Sequence, residues 1–394
     1  MRQLIALRCC VFFVLSVSVI IYVYGWHKTT NSVEEARRKL LSLPDVQIQT
    51  ISSSLISESN ERTDIFFLKA HKCASSTLQN IFLRFGYSRE LDFVLPHNNN
   101  YIGSPQHFKK SMIVDDLTSS SGKYNIFTHH TRYSFEQMKA VMKEGAAFVT
   151  ILRDPTTLFE SIYSYYSLNK AFNLSFDDLL RNPYKIHKFN HRYLKKIGLN
   201  QMSFDLGMPE EFFNLDAKIQ YYINKIDNEF ELVMISEYIE ASLVLLCDLM
   251  NWPLENVIFL KLNSRPDISK HILTDNDRDV IRKFNHADTM LYDYFLNKFR
   301  NQIKDYGEER MEENISKLIH LNNNFSYRCV DGINLKGYGH TKAYNLRHSD
   351  DWLCYYAARP ELEFTEEIRN YQKNKFKVLT KLRNFMNNTS EEKR

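Results

Sequence analysis

The chain has 394 residues, of which 44% are hydrophobic, 13% aromatic and 25% charged, with only 11 Gly and 9 Pro. These values exclude a stapled mini-protein, a disordered or collagen-like chain and a polytopic membrane protein, and they leave room for one large core or two smaller ones. The formal charge is +4, but the stretch from Arg369 to Arg394 carries eight basic and two acidic residues, so the remainder lies near −2 and offers no nucleic-acid surface.

In chain order, the first element is membrane-directed. Arg2 and Arg8 precede an uncharged run from Cys9 to Gly25, followed by Trp26, His27 and Lys28. As a helix this run spans roughly 25 Å, and the basic residues on its amino-terminal side keep that end cytosolic. The organisation expected is a cytosolic tail at 1–8, a signal-anchor at 9–25, a stem at 26–63 and a lumenal body at 64–394. A cleaved signal peptide, with Val23 and Gly25 before the cut, is the alternative; the apolar run exceeds its usual ~7–15 residues. Both readings send the body into the secretory pathway, where the sequons at Asn173, Asn314, Asn324, Asn387 and Asn388 are acceptors for glycosylation. Cys9 and Cys10 stand at the membrane boundary. Among Cys73, Cys247, Cys329 and Cys354, the preferred disulfide is Cys329 with Cys354, since both lie in a polar region that needs stapling, whereas the other two sit in apolar segments.

From Asp64 onward, short apolar runs alternate with helical patterns. Strands are expected at Ile65–Lys69, from Tyr124, at Ala147–Arg153, Glu231–Ser236 and Val257–Leu262. Helices are expected at Ser75–Phe85, Phe135–Met142 and Ala241–Met250. The pattern predicts an α/β fold, a P-loop-like parallel sheet flanked by helices. Insertions at Leu91–Lys123 and Lys170–Asn214 would form the rim loops where acceptor specificity resides.

Two stretches carry chemistry. In Phe67-Leu-Lys-Ala-His-Lys-Cys-Ala-Ser-Ser-Thr-Leu-Gln-Asn-Ile81 a strand runs through small residues into a helix. Backbone N–H groups at such a helix start bind phosphate, Ala74, Ser75 and Ser76 allow close approach, the hydroxyls of Ser75, Ser76 and Thr77 add donors, and Lys72 adds charge. No Gly-x-x-x-x-Gly-Lys-Ser/Thr occurs, which disfavours a Mg²⁺-dependent nucleoside triphosphatase. The bland alternative is a capping Ser beside a surface Lys. In Ile151-Leu-Arg-Asp-Pro-Thr-Thr-Leu-Phe-Glu-Ser161 a strand ends in Arg153 and a helix begins, with Ser161 two turns along: a seat for a second phosphate. Its bland alternative is an Arg153–Asp154 pair. Two anion sites of different make-up suggest a nucleotide phosphorylated at both ends.

The first stretch resembles the 5′-phosphosulfate loop of sulfotransferases and the second their 3′-phosphate motif, including the Arg-to-Ser spacing of eight. The closest group is the Golgi galactose 3-O-sulfotransferase family, and the likeness extends through Leu232–Leu246, Val257–Asn263 and Phe284–Phe295, weakening beyond about Arg300. Cys73 departs from it, standing where these loops usually have Thr and removing one hydroxyl from the pocket. The resemblance implies 3′-phosphoadenosine 5′-phosphosulfate as donor and the 3-hydroxyl of a galactose on a glycolipid or glycoprotein as acceptor, in the Golgi membrane. It also implies a catalytically important histidine at each of His71 and His130. Lys72 would stabilise charge on the leaving phosphate, and a neutral imidazole would take the sugar proton. His130 is the preferred base, because His71, next to the phosphate loop, equally serves to orient the donor; both remain candidates.

Adjacent strand residues point to opposite faces, so His129 and His130 are not expected to share a metal, and no obligatory metal is expected. Lys336-Gly337 is either an ordinary turn or, by its resemblance to a basic-glycine loop of other sulfotransferases, a loop that closes on the 3′-phosphate. Two rival functions stand beside the sulfotransferase: a kinase-like enzyme using ATP, and a glycan-binding protein of the same fold without turnover, for which Cys73 is the best support.

Overall fold

A computed structural model describes residues 61–262, 270–337 and 341–391. The expected tail and anchor, the stem as far as Asn60, Cys9 and Cys10 lie outside the described residues, as does Asn263. No helix among the described residues is long and apolar enough to cross a membrane.

Five strands, β1 (Ile65–Leu68), β2 (Phe93–Val94), β3 (Ile126–Phe127), β4 (Ala147–Leu152) and β5 (Leu232–Ile235), form one sheet in the order β2-β3-β1-β4-β5. Every pairing is parallel, with Ile65 opposite both Ile126 and Ala147 and with Val149 opposite Leu232. Every residue of these five strands is buried and all but Thr150 are apolar, the near-continuous apolar run of a sheet covered on both faces; the Thr150 hydroxyl donates to the Leu68 carbonyl at 3.0 Å. The helices are α1 (Ser75–Ser88), α2 (Phe135–Lys139), α3 (Pro155–Tyr165), α4 (Leu168–Ala171), α5 (Phe176–Arg181), α6 (Gln201–Asp205), α7 (Asp216–Glu229), α8 (Ile239–Met250), α9 (Asp275–Phe284), α10 (His286–Tyr306), α11 (Glu308–Cys329), α12 (Trp352–Ala358) and α13 (Glu361–Glu391). A hairpin of β6 (Val330–Gly337) and β7 (Thr341–Leu346) stands apart from the sheet.

After β1 the chain crosses to the edge strand β2 and returns to β3 between them; β4 then lies on the other side of β1, with β5 beyond it. The crevice at the carboxyl ends of β1 and β4 is therefore the topological switch point, the place where open parallel sheets bind ligands. Both phosphate-type stretches emerge there.

Four of the five expected strands are present. The fifth, Val257–Leu262, is not in the sheet: a helical turn at Leu254–Val257 leads into extended chain whose polar groups are met by side chains instead of a ladder. The Phe259 N–H donates to Asn322 at 2.9 Å, the Ile258 carbonyl accepts from buried Arg84 at 2.6 Å, and the Leu262 N–H donates to Thr77 Oγ1 at 3.3 Å. Its neighbours include α1, α11 and β7, whose Tyr344 hydroxyl donates to the Lys261 carbonyl at 3.0 Å, but it joins no ladder. Conversely, the Leu91–Lys123 insertion holds a strand, β2. Its outer edge is met by Gln372 of α13, whose side chain donates to the Phe93 carbonyl and accepts from the Phe93 N–H, both at 2.8 Å, blunting an edge that would otherwise pair with another chain.

Cys329 at the end of α11 is bonded to Cys354 in α12, the expected pair, while Cys73 and Cys247 are buried free thiols. Burial pushes the Cys247 thiol up to about 12, which keeps it unreactive. Lys336 and Gly337 belong to β6, and residues 338–340 lie outside the described residues. Among the sequons, Asn173 and Asn324 are exposed and Asn314 is half-buried; the side chains of Asn387 and Asn388 lie outside the description.

Candidate active site

The turn after β1 places Lys72 and Ala74 at φ 59° and 58°, alternating with residues outside the left-handed region. Such alternation curls successive N–H groups into a concave anion cradle at the start of α1. The conformation costs non-glycine residues free energy, which the loop's own bonds offset: Ser75 Oγ donates to the Ala70 carbonyl at 2.6 Å and the Thr77 N–H to the Ala74 carbonyl at 3.0 Å. Ser75's hydroxyl proton is thereby used to close the loop, so Ser76, half-buried at the cleft, and Thr77 are better placed to offer hydroxyls. Cys73 points the other way. It is fully buried, with Sγ donating to the His71 carbonyl at 3.4 Å, so the residue type at 73 takes no hydroxyl from the cleft and the expected loss does not arise.

At the end of β4, Arg153 does not pair with Asp154. Its Nη1 donates to the Lys72 carbonyl at 2.9 Å and its Nε to Thr157 Oγ1 at 3.0 Å, tying the two turns together. Asp154 instead caps α3, accepting from the Thr156 N–H at 2.9 Å, and pairs with Arg282 at 3.0 Å. Ser161 lies two turns along α3 on the cleft wall with Arg153, Thr157 and Lys72, whose ammonium sits 3.5 Å from the centroid of the Tyr165 ring.

The two histidines meet. Their rings stack at 4.2 Å with 19° between planes, and Tyr101 stacks on His130 at 4.9 Å. His130 Nδ1 is 3.0 Å from the Lys69 carbonyl; a carbonyl only accepts, so Nδ1 carries the hydrogen and Nε2 the lone pair. Burial, with the Lys69 ammonium and the His71 ring beside it, holds the His130 pKa well below the ordinary imidazole value. His71 has a different surround: its backbone N–H and its Nδ1 both approach Asp205 Oδ2 at 2.8 Å, and Nε2 lies 2.9 Å from the Tyr101 hydroxyl. The neighbouring His129 faces away, bonding Thr365 at 3.0 Å, and burial lowers it to about 3. Among the described residues no group of three or more His, Cys, Asp or Glu is arranged to hold a metal ion.

Asp205 is the residue the linear reading missed. It lies 134 positions from His71 and on a five-residue helix with no motif of its own. What holds α6 is the stretch Phe284–Phe295, whose resemblance to the family now has a physical content. Asp288 accepts from the Met202 and Ser203 N–H groups at 3.1 and 2.7 Å and from the Ser203 hydroxyl at 2.7 Å, while Asn285 accepts from the Asn200 N–H at 2.8 Å. A buried carboxylate thus caps the helix that presents Asp205 and Gln201, and Gln201 donates to Asp205 Oδ1 at 2.9 Å.

All nine sequence-chosen residues, His71, Lys72, Ala74, Ser75, Ser76, Thr77, His130, Arg153 and Ser161, line one cavity of about 1110 Å³. Both insertions reach it, through Asn100 and Tyr101 and through Leu194, Lys196 and Ile197, and so does the start of α13. The volume is at the upper end of the range for small-molecule sites. Chemically, the cleft offers an anion cradle with a lysine, a second basic turn, and imidazoles with defined hydrogen-bond partners.

The family model described as galactose-3-O-sulfotransferase matches residues 1–349. The galactosylceramide sulfotransferase of Mus musculus is 34% identical over 280 residues, covering 69% of this chain and 65% of that protein, just under two thirds of its length. The Homo sapiens galactosylceramide sulfotransferase is 31% identical over 342 residues, covering 79% of each. Galactose-3-O-sulfotransferase 2 of Mus musculus is 29% identical over 340 residues, covering 79% of this chain and 85% of that one.

Proposed function

The chain belongs to the galactose-3-O-sulfotransferase family, and from that membership we propose that it transfers a sulfuryl group from 3′-phosphoadenosine 5′-phosphosulfate to the 3-hydroxyl of galactose on a glycolipid or glycoprotein glycan. The observation that carries the reading is the meeting of two strand-to-helix anion turns, joined by the Arg153–Lys72 bond, with a histidine pair in the same cavity.

In this reading the 5′-phosphosulfate lies in the Lys72–Thr77 cradle and the 3′-phosphate near Arg153 and Ser161. The galactose oxygen attacks sulfur in line, the bond from sulfur to the phosphate oxygen breaks, and Lys72 stabilises the charge left on that oxygen. The hydroxyl proton passes to an imidazole. His71 suits this step better than His130, reversing the preference drawn from the sequence: Asp205 beside Nδ1 stabilises the imidazolium that forms, whereas His130 is desolvated next to the Lys69 ammonium, where a second positive charge is costly. His130 then buttresses His71 and shapes the acceptor side. Localisation to the Golgi membrane as a single-pass type II protein, with 9–25 as the anchor, is part of the same proposal and rests on the amino-terminal sequence.

The test is sulfate transfer from labelled donor to a panel of β-galactosides by the purified lumenal body. Incorporation on the galactose 3-hydroxyl supports the reading; donor binding without transfer favours a glycan-binding role, and ATP outcompeting the donor favours a kinase-like one.

A further inference from the structure

The family match ends at residue 349, yet α13, which starts at Glu361, walls the cleft and is fastened to its floor. Glu361, with its side chain 15% exposed, places Oε2 at 2.5 Å from the ammonium of Lys69, itself 1% exposed, and accepts from Asn100 Nδ2 at 3.1 Å through Oε1. Each partner adjoins a contact to a histidine. The Lys69 carbonyl receives Nδ1–H of His130. The Asn100 carbonyl receives the His130 backbone N–H at 3.1 Å, and the next residue, Tyr101, meets His71 Nε2. The helix is held independently: Arg369 donates to the Pro96 and Asn99 carbonyls at 2.8 and 3.1 Å.

We propose that Glu361 is a positioning residue for the transfer reaction, fixing the Lys69 carbonyl and the Asn100–Tyr101 segment so that both imidazoles are held in register. The proposal rests on the sulfotransferase reading for its catalytic consequence and on geometry alone for its structural one. A buried ion pair is seldom more stabilising than apolar residues of the same shape, so stability by itself does not account for this one. Burial lowers the Lys69 ammonium from its ordinary value, and that ammonium in turn holds the Glu361 carboxyl below its own.

The experiment uses the purified chain, Glu361→Gln, and the double variant Lys69→Met/Glu361→Leu, which removes both charges and so survives if the single variant fails to fold. Thermal unfolding, affinity for 3′-phosphoadenosine 5′-phosphate, kcat on a β-galactoside, and ring-nitrogen NMR of ¹⁵N-histidine protein are measured on each. In the double variant, unfolding temperature and nucleotide affinity are expected near wild type while kcat stays down about 10²-fold, the cost of an ångström-scale misplacement, and the Nδ1–H signal of His130 changes. Recovery of kcat together with unfolding temperature would overturn the proposal by reducing the pair to a structural one. If wild type itself transfers no sulfate, the functional reading fails, and the spectra decide alone: an unchanged His130 signal in the double variant overturns the positioning role.

Discussion

Arg153 donates to the backbone carbonyl of Lys72 across 81 residues of sequence, so the two anion turns are one construction. The guanidinium both contributes charge and holds Lys72 in its left-handed conformation. Lys72→Ala and Arg153→Ala should each weaken binding of 3′-phosphoadenosine 5′-phosphate by roughly 2–4 kcal/mol, the upper range for charged, partly buried contacts. Because the residues touch, the double variant should lose less than the sum, with a coupling of about 0.5–3 kcal/mol. Calorimetry on the four proteins measures this, and strict additivity would show that the turns act separately.

The Asp205–His71 pair predicts a shared deletion phenotype. His71→Ala and Asp205→Asn should each lower turnover ~10²–10⁴-fold, and the double variant should be scarcely worse than either, since the carboxylate acts through the ring. Burial, with the Lys69 ammonium beside it, holds the His130 pKa well below the ordinary imidazole value, so an acid limb near that value does not belong to it. The ascending acid limb of kcat/KM should therefore survive in His130→Asn and vanish in His71→Asn. The reverse pattern would return the role of base to His130.

Asp288 links the fold to the site. Burial holds its carboxyl at about 6, above the ordinary 3.8, so the folded chain binds that proton more tightly than the unfolded one. The sign follows: this group's contribution to stability falls as pH rises from about 4 to about 6, by roughly 3 kcal/mol for two units, and is level above. In Asp288→Asn that part of the decline should disappear from a denaturant-midpoint profile against pH. The same variant leaves α6 poorly capped, so turnover should fall with that of Asp205→Asn while donor affinity is retained.

The anchor is tested on the full-length chain expressed in cells. The uncharged run at 9–25 and its basic flank predict that alkaline carbonate leaves the protein in the membrane pellet and that removal of N-glycans lowers its mass, with Asn173 and Asn324 the exposed acceptors among the described residues. A soluble product beginning near Trp26 would identify a cleaved signal peptide instead.

Local sequence determined what local physics controls. Doubly covered strands must be nearly all apolar, so Ile65–Leu68, Ala147–Leu152, with Thr150 its one polar residue, and Leu232–Ile235 are visible as runs. A small-residue turn into a helix must expose N–H groups, so the Lys72–Thr77 and Arg153–Ser161 turns are visible as motifs, and parallel alternation then brings both to the carboxyl ends of adjacent strands. Val257–Leu262 has the composition of a strand and is none, because composition reports burial and not the partner: its amides found the side chains of Asn322 and Thr77 instead of a neighbouring strand. Only tertiary structure decided the buried charges. Asp205, Asp288 and Glu361 sit in polar or mixed stretches indistinguishable from solvated helix, and each acquires its role from a partner between 85 and 292 positions away. A carboxylate in a sequence carries no mark of the histidine it will orient, since that choice is made by chain closure and by the cost of burying its charge alone.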